Sequence, residues 1–290
     1  MKIALGASSV PQPDALELLK GHEVILNPYG RKLTEDETIE HLEGVAGLLA
    51  GLEPLTERVF SACPELRAVA RIGIGTENID FEAAKNHGVK ISNTPDAPTY
   101  AVAEMALAAL LAIARQILPA NEDIHNGAWK KRMGFSVRGS MVLLVGYGRI
   151  ARAFEKLLAP MRAEVLKYDP LLPDCKPLSE LLPCADVVSL HASGKDCLIN
   201  AEQLGQLKDG AVLLNTARGQ LVDEDAVYEA LKSGKLSYYF ADTFSIEPYS
   251  GKLTELDNAI LTPHISTYTD LCRREMEMQA VKNLLRDLNE

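Results

Sequence analysis

Short apolar runs alternate with longer polar stretches along almost the whole chain. The runs at residues 3–5, 24–26, 44–49, 66–72 and 90–92 are short and mostly apolar, as strands buried on both faces of a sheet would be. The polar segments between them read as helices; one, over 13–20, is opened by Pro13. Strands alternating with helices predict a parallel sheet. Residues 94–98, with Pro95 and Pro98 flanking Asp96, interrupt the pattern. A helix is predicted over 99–115; it is rich in alanine and apolar nearly all round, so it should be buried. Residues 121–139 read as polar and irregular and hold the only tryptophan, Trp129. A second alternating series starts at Met141, with strands at 141–145, 164–168, 187–190, 211–215, 238–241 and 260–261, followed by an amphipathic helix over 269–288. Two such series predict two α/β domains with a boundary near 95–98.

A chain of 290 residues accommodates two domains of ordinary size. Its formal charge of -10 is interrupted by no basic run, a field that repels polyanions. Neither nucleic acid nor a membrane is therefore expected as a partner, whereas a small anionic substrate needs only a local cluster of donors. The longest apolar stretch, 105–114, is too short to span a bilayer. Residues 1–5 run straight into a strand-like stretch, so no signal peptide is expected and the location is read as cytoplasmic. The cysteines, Cys63, Cys175, Cys184, Cys197 and Cys272, are odd in number, widely spaced and never in a Cys-x-x-Cys pair. That favours reduced thiols and no metal site.

The first chemical signature follows the strand at 141–145. Gly146-Tyr147-Gly148-Arg149-Ile150-Ala151 has the form G-x-G-x-x-A at a strand-to-helix turn. Gly146 permits the tight turn, Gly148 lets a pyrophosphate approach the backbone, and Ala151 lets helix and strand pack closely. The helix amino terminus then points free N–H groups at the phosphates. A glycine pattern alone is weak evidence. Here Asp169 also stands 18 residues beyond Ala151, at a strand end, where an acid accepts hydrogen bonds from a ribose 2′-hydroxyl. A carboxylate there would repel a 2′-phosphate, so the cofactor expected is NAD.

Three later segments, each after a strand, carry reactive groups: Arg218 in 215–223, Asp242 and Glu247 in 241–248, and His264 in 261–266. Taken singly, a surface arginine, a solvated carboxylate and a structural histidine are the commoner cases. Together they form a chemical set. Reducing a ketone needs hydride on carbon and a proton on oxygen. His264 can give the proton near neutral pH, Glu247 beside it would favour the imidazolium, and Arg218 can hold a substrate carboxylate with a two-pronged bond.

At this point the chain resembles the D-isomer-specific 2-hydroxyacid dehydrogenases over almost its whole length. The marks are residues 71–80 (Arg71 through Gly75 and Asn78 to Asp80), Asn93-Thr94-Pro95, Val102-Ala103-Glu104, the glycine turn, Tyr168-Asp169-Pro170, 185–191, 215–219, 242–248 and Thr262-Pro263-His264. The resemblance implies two Rossmann-like, doubly wound parallel-sheet domains with the active site in the cleft between them. The substrate domain would be 1–97 plus 267–290 and the NAD-binding domain 98–266. It places the catalytic arginine, glutamate and histidine on Arg218, Glu247 and His264. The backbone loop for the substrate carboxylate falls on Gly73, Ile74 and Gly75, with Arg218 contributing. Cofactor contacts fall on Gly146, Gly148, Arg149, Ile150, Asp169, Thr216 and Ala217, and the acid for the nicotinamide amide on Asp242. The resemblance further implies a homodimer joined through the cofactor domain, with the Trp129 segment in the contact.

Two departures are visible. The loop after His191, Ala192 to Cys197, is shorter than the family's. No carboxy-terminal regulatory domain is expected, and hence no serine feedback through one. For the substrate, short chains resembling D-3-phosphoglycerate dehydrogenase, an enzyme of serine biosynthesis, suggest 3-phosphoglycerate, with glyoxylate and hydroxypyruvate as alternatives. Phosphoglycerate dehydrogenases place arginine near the loop at 50–56; here that loop carries Glu53 and no base, leaving Arg31, Lys32 and Arg71 as substitutes. Formate or phosphite oxidation on the same scaffold would need further residues that the sequence does not display. An NAD-sensing binding protein of the same fold stands as the alternative outside catalysis.

Overall fold

The computed structural model describes residues 1–8 and 11–289; residue 290, the last of the expected substrate domain, lies outside them. The chain divides into two compact units, Met1–Pro98 with Thr267–Glu290, and Thr99–Ser266. Each is built on its own parallel sheet.

The first unit holds five strands, β1 (Lys2–Leu5), β2 (Glu23–Ile25), β3 (Gly47–Ala50), β4 (Ala68–Arg71) and β5 (Lys90–Asn93), in the order β2-β1-β3-β4-β5. The order reverses between β1 and β3, the place where parallel sheets open a crevice at their carboxyl ends. Alternate residues of these strands enter an apolar cluster with Val59, Phe60 and Ala83 from the helices Glu57–Ala62 and Phe81–Asn86. The helix Asp270–Asn289 returns from the far end of the sequence to pack on β3, β4 and β5. Gly47 makes its approach close, since a Cβ there would come within 2.8 Å of Leu288 Cδ1.

The second unit holds six strands, β6 (Met141–Val145), β7 (Glu164–Tyr168), β8 (Val187–Leu190), β9 (Ala211–Asn215), β10 (Leu236–Ala241) and β11 (Ala259–Leu261), in the order β11-β10-β9-β8-β6-β7. The turn of order here lies between β6 and β8. Leu143 and Val145 enter one core with Val227 and Leu231 of the helix Glu224–Ser233. Val142 and Leu144 enter another with Ala106 and Leu110 of the helix Pro98–Ala114 and Phe154 of the helix Arg149–Leu158. Two cores on alternate residues mean that both faces are covered, and the strands accordingly read as unbroken apolar runs.

Several expected boundaries move. The helix expected over 13–20 is α-helical only over Pro13–Glu17, and the strand expected to start at 44 starts at Gly47, because Gly44 is in a left-handed turn (φ +69°). The stretch 121–139, expected to be irregular, is helical at its start as part of Ile117–His125. Pro119 reads as a breaker in the sequence, but it falls in the first turn of that helix, where a missing N–H breaks no bond. The helix Asp270–Asn289 buries Glu277 and Asp287 among its apolar residues, so its buried face is not purely apolar. No single helix among the described residues is long and apolar enough to cross a membrane.

Candidate active site

The second unit gathers Arg218, Glu247 and His264 at the carboxyl ends of β9, β10 and β11. The turn after β9 is shaped by Asn215, which is fully buried. Its Oδ1 accepts the Ala217 N–H at 3.0 Å and its Nδ2 donates to the Arg218 carbonyl at 2.9 Å. Gly219 then lets this turn lie flat on the next one, since a Cβ there would collide with the Phe244 and Ser245 backbone. The sequence offered Gly219 only as part of a motif; its reason is this close approach. It brings the Arg218 charge to bear on Glu247.

Glu247 and His264 form the reactive pair. His264 Nδ1 lies 3.0 Å from Glu247 Oε2, and both side chains keep partial exposure, 43% and 35%. The other carboxyl oxygen, Oε1, accepts the Phe244 N–H at 3.0 Å. Burial alone would raise the Glu247 carboxyl. The His264 bond, the Phe244 N–H and the Arg218 charge outweigh it and hold the group below the ordinary carboxylate value. Glu247 is thus an acceptor, so Nδ1 is the donor of that bond. Nε2, without a partner among the described residues, is the atom that can exchange a proton with a ligand.

The loop under His264 is held by Asp242. That carboxylate is fully buried. Its Oδ1 accepts from Thr262 Oγ1 at 2.6 Å and from the Ile265 N–H at 2.8 Å, and its Oδ2 from the Ser266 N–H at 2.8 Å and the Ser266 hydroxyl. His264 itself sits at φ +55°, a conformation seldom taken by a side chain of this size. Asp242 was expected against the nicotinamide amide. In this structure the acid, fully buried with four donors on its two oxygens, anchors residues 262–266.

The glycine turn fits a dinucleotide. Gly146 has φ +86°, and a Cβ there would stand 2.5 Å from the Ala192 backbone. Above Gly148 a Cβ would meet nothing within 4 Å, so the space a pyrophosphate needs is open. Gly148 caps the helix Arg149–Leu158 and offers no side-chain cap to the first turn at Arg149 and Ile150. Asp169 accepts the Tyr147 N–H at 2.8 Å on Oδ2 and the Leu171 N–H at 2.9 Å on Oδ1. Each oxygen retains a lone pair for a ribose hydroxyl. After β9 the Thr216 hydroxyl is buried without a partner among the described residues, a second sign of a ligand along this edge, and Ala217 beside it is buried too.

The first unit carries the glycine loop. Gly73 is at φ +138°, but its N–H donates to Thr94 Oγ1 at 2.8 Å, with Thr94 fully buried. Within the loop expected to hold a substrate carboxylate, the Gly73 N–H is thus taken by Thr94, and the N–H groups of Ile74 and Gly75 meet no partner among the described residues. Asn93 Nδ2 fixes the loop from the side by donating to the Ile74 carbonyl at 2.9 Å. Thr94 and Asn93 stood in the sequence as motif residues without a role.

A parallel sheet with a glycine turn and a partnered acid at its switch point, and an imidazole–carboxylate pair beside an arginine, define a Rossmann-type oxidoreductase using a nicotinamide cofactor. Residues 107–266 match the model of the D-isomer specific 2-hydroxyacid dehydrogenase NAD-binding domain. The chain is 33% identical to a hydroxypyruvate reductase of Thermotoga maritima, with 95% of each covered. It is 38% identical to a D-3-phosphoglycerate dehydrogenase of Haemophilus influenzae, covering 83% of this chain and 63% of that enzyme. Its fold superposes on a glyoxylate reductase of Paecilomyes thermophila with a TM-score of 0.88 at 26% identity, over 100% and 96% of the two chains. The protein belongs to the D-isomer specific 2-hydroxyacid dehydrogenase family.

Proposed function

We propose that the protein reduces an unphosphorylated 2-keto acid, hydroxypyruvate or glyoxylate, to the D-2-hydroxy acid, with His264 as the acid. The observation that carries this reading is the 3.0 Å pair of His264 Nδ1 and Glu247 Oε2 next to Arg218. Arg218 orients the substrate carboxylate and polarises the keto oxygen. To Ile74 and Gly75 of the first unit we carry over the family's role of offering backbone N–H groups to a substrate carboxylate. When bound, the cofactor would be held by Gly146, Gly148, Arg149, Ile150, Asp169, Thr216, Ala217 and Asp242 and would supply the hydride for the keto carbon. His264 delivers the proton from Nε2 to the keto oxygen, while Glu247 holds the ring through Nδ1 and stabilises its charged form. In the reverse direction neutral His264 takes the hydroxyl proton.

The choice of an unphosphorylated acid rests on the bases of the first unit. Arg31 is engaged in a two-pronged bond to Glu37, at 2.8 and 2.7 Å, and the loop at 50–56 carries no base. The second reading, oxidation of D-3-phosphoglycerate towards serine, is favoured by the 38% identity to the Haemophilus influenzae enzyme. We also place a homodimer contact on the second unit, where Trp129 and Met133 are 86% and 94% exposed beside Ile124. A cytoplasmic location accords with the free cysteines. The test is NADH oxidation with glyoxylate, hydroxypyruvate, 3-phosphohydroxypyruvate and pyruvate. Turnover of the first two supports the reading, preference for the phosphorylated acid supports the second, and no turnover of any favours an NAD-sensing binding protein.

A further inference from the structure

The carboxylate of the reactive pair is carried on an arch, residues 244–249, with one aromatic ring at each end. Ser245, Ile246 and Pro248 are exposed, so most of the arch lies in solvent. Phe244 is buried in the core of the second unit with Leu221 and Leu253. The half-buried Tyr249 ring stacks on it, with centroids 4.3 Å apart and planes 19° from parallel. The far end of Tyr249 is fixed as well: its hydroxyl accepts the Leu253 N–H at 3.3 Å, and a Cβ at Gly251 would collide with it. The stack therefore closes the base of the arch. A second tie lies at Ser245, whose N–H and hydroxyl both donate to Glu224 Oε1, at 3.0 Å each.

We propose that Tyr249 is a positioning residue for the proton transfer: stacked on Phe244, it holds Glu247 where the carboxylate grips His264. Glu247 Oε1 accepts the N–H of Phe244 itself, and Oε2 meets His264 Nδ1, both at 3.0 Å. The carboxylate thus reaches from the residue under the stack to the imidazole, and Tyr249 follows it by two positions. A near-parallel pair of rings keeps a defined offset, because the ring quadrupoles favour it, whereas an aliphatic contact does not. With an aliphatic side chain at 249 the apolar contact with Phe244 would remain but the fixed geometry would not, and Glu247 would sample positions away from His264. The attraction between carboxylate and imidazolium weakens as they part, so the ring would lose the anion that favours its charged form. The charged groups that bear on the arch, His264 and Arg218 through Glu247 and Glu224 through Ser245, are unaltered when Tyr249 alone is changed.

This inference rests on the reading of His264 as the acid, and the experiment separates the two. The measurement is the pH profile of kcat and kcat/KM for reduction of glyoxylate or hydroxypyruvate by NADH, in wild type, Tyr249→Leu and Tyr249→Phe, with Tm and KM for NADH recorded beside it. In Y249L, kcat near neutral pH should fall by about tenfold. The pH at which activity is lost on the alkaline side should move down by about half a unit to one unit, while KM for NADH stays within about twofold because the glycine turn is untouched. Y249F keeps the stack and should follow wild type within about twofold. A Y249L profile that overlays wild type, or one lowered equally at every pH, overturns the proposal and leaves Tyr249 a packing residue. So does a Y249F variant as impaired as Y249L. If Y249L does not fold, Gly251→Ala decides, since a Cβ there would stand 2.6 Å from Tyr249 Cζ and must displace the ring. The alkaline limb should then move the same way, and an unmoved limb overturns the proposal. If wild type turns over no 2-keto acid, or keeps its rate in His264→Ala, the underlying reading has failed and takes this inference with it.

Discussion

Both sheets end in charged side chains at their carboxyl edges, yet the two edges treat charge in opposite ways. In the Thr99–Ser266 unit the pair His264–Glu247 keeps 43% and 35% of its surface exposed, and one ring nitrogen is left for a ligand. In the Met1–Pro98 unit Glu53 is fully buried. Its oxygens accept the Gly51 N–H, and burial shifts the group toward its neutral form. The first arrangement suits proton exchange, which needs access and a partner that stabilises both states. The second suits anchoring of the loop, which needs no access from solvent. Position at a strand end was the same signal in both cases; exposure tells the two roles apart.

The sharpest way to break the comparison is to remove the exposed half. His264→Ala should lower kcat by about 10^2 to 10^4, the usual worth of a positioned general acid, while NADH binding, followed by fluorescence titration, stays within about twofold because the glycine turn is untouched. Undiminished turnover would return His264 to a structural role and take the catalytic assignment with it.

Next in size comes the packing that brings Arg218 to the pair. Gly219→Ala sets a methyl group against the Phe244–Ser245 backbone. Overpacking of this kind costs about 1–3 kcal/mol. Moving Arg218 by about an ångström adds a loss of about 10^2 in kcat/KM. Steady-state kinetics with Arg218→Lys as the reference checks this. If G219A is faster than R218K, the turn does not position the arginine.

These two sites also mark how far the sequence carried. The strands were legible because both sheet faces are covered, so that burial leaves unbroken apolar runs such as Met141–Val145. The triad was legible because Arg218, Glu247 and His264 each follow such a run. What stayed hidden depends on contacts distant in sequence. Nothing local says that the Gly73 N–H belongs to Thr94, 21 positions away. Nor does anything local say that Asp242 is held by residues 262–266, or that Glu53 folds back over Gly6. The helix Ile117–His125 was missed for a related reason: proline in its first turn reads as a breaker until the left-handed Gln116 before it is seen.

A smaller effect sharpens the contrast inside the first unit. Thr94→Val keeps the shape of the side chain but removes the acceptor for the Gly73 N–H. Leaving that buried group unpaired costs about 1–3 kcal/mol. The loop should loosen, raising KM for the 2-keto acid by about tenfold with kcat close to wild type, because Thr94 is assigned no proton to transfer. A fall in kcat at constant KM would mean that the Gly73–Gly75 loop serves the chemistry and not the binding of the carboxylate.

The smallest effect concerns stability, and it isolates a half-buried group of the second unit that the exposed pair leaves out. His191 closes β8 half-buried, with Nδ1 shielded from solvent: Nε2 meets Ser189 Oγ at 2.9 Å, and Nδ1 is without a partner among the described residues. Burial pushes its pKa from 6.5 down to about 3. The unfolded chain therefore binds a proton at His191 below pH 6.5, while the folded chain refuses one until about pH 3. Stability must fall as pH drops through that window, by roughly 1.4 kcal/mol for each pH unit, and the slope vanishes above it. His191→Gln cannot titrate. The difference in unfolding free energy between wild type and H191Q, measured by denaturant titration at pH 7.5, 6 and 5, should be flat above pH 6.5 and then move against wild type. A difference independent of pH would mean that water or a ligand reaches Nδ1, and that the edge of the glycine turn beside Ala192 is more open than the packing of Gly146 on that residue implies.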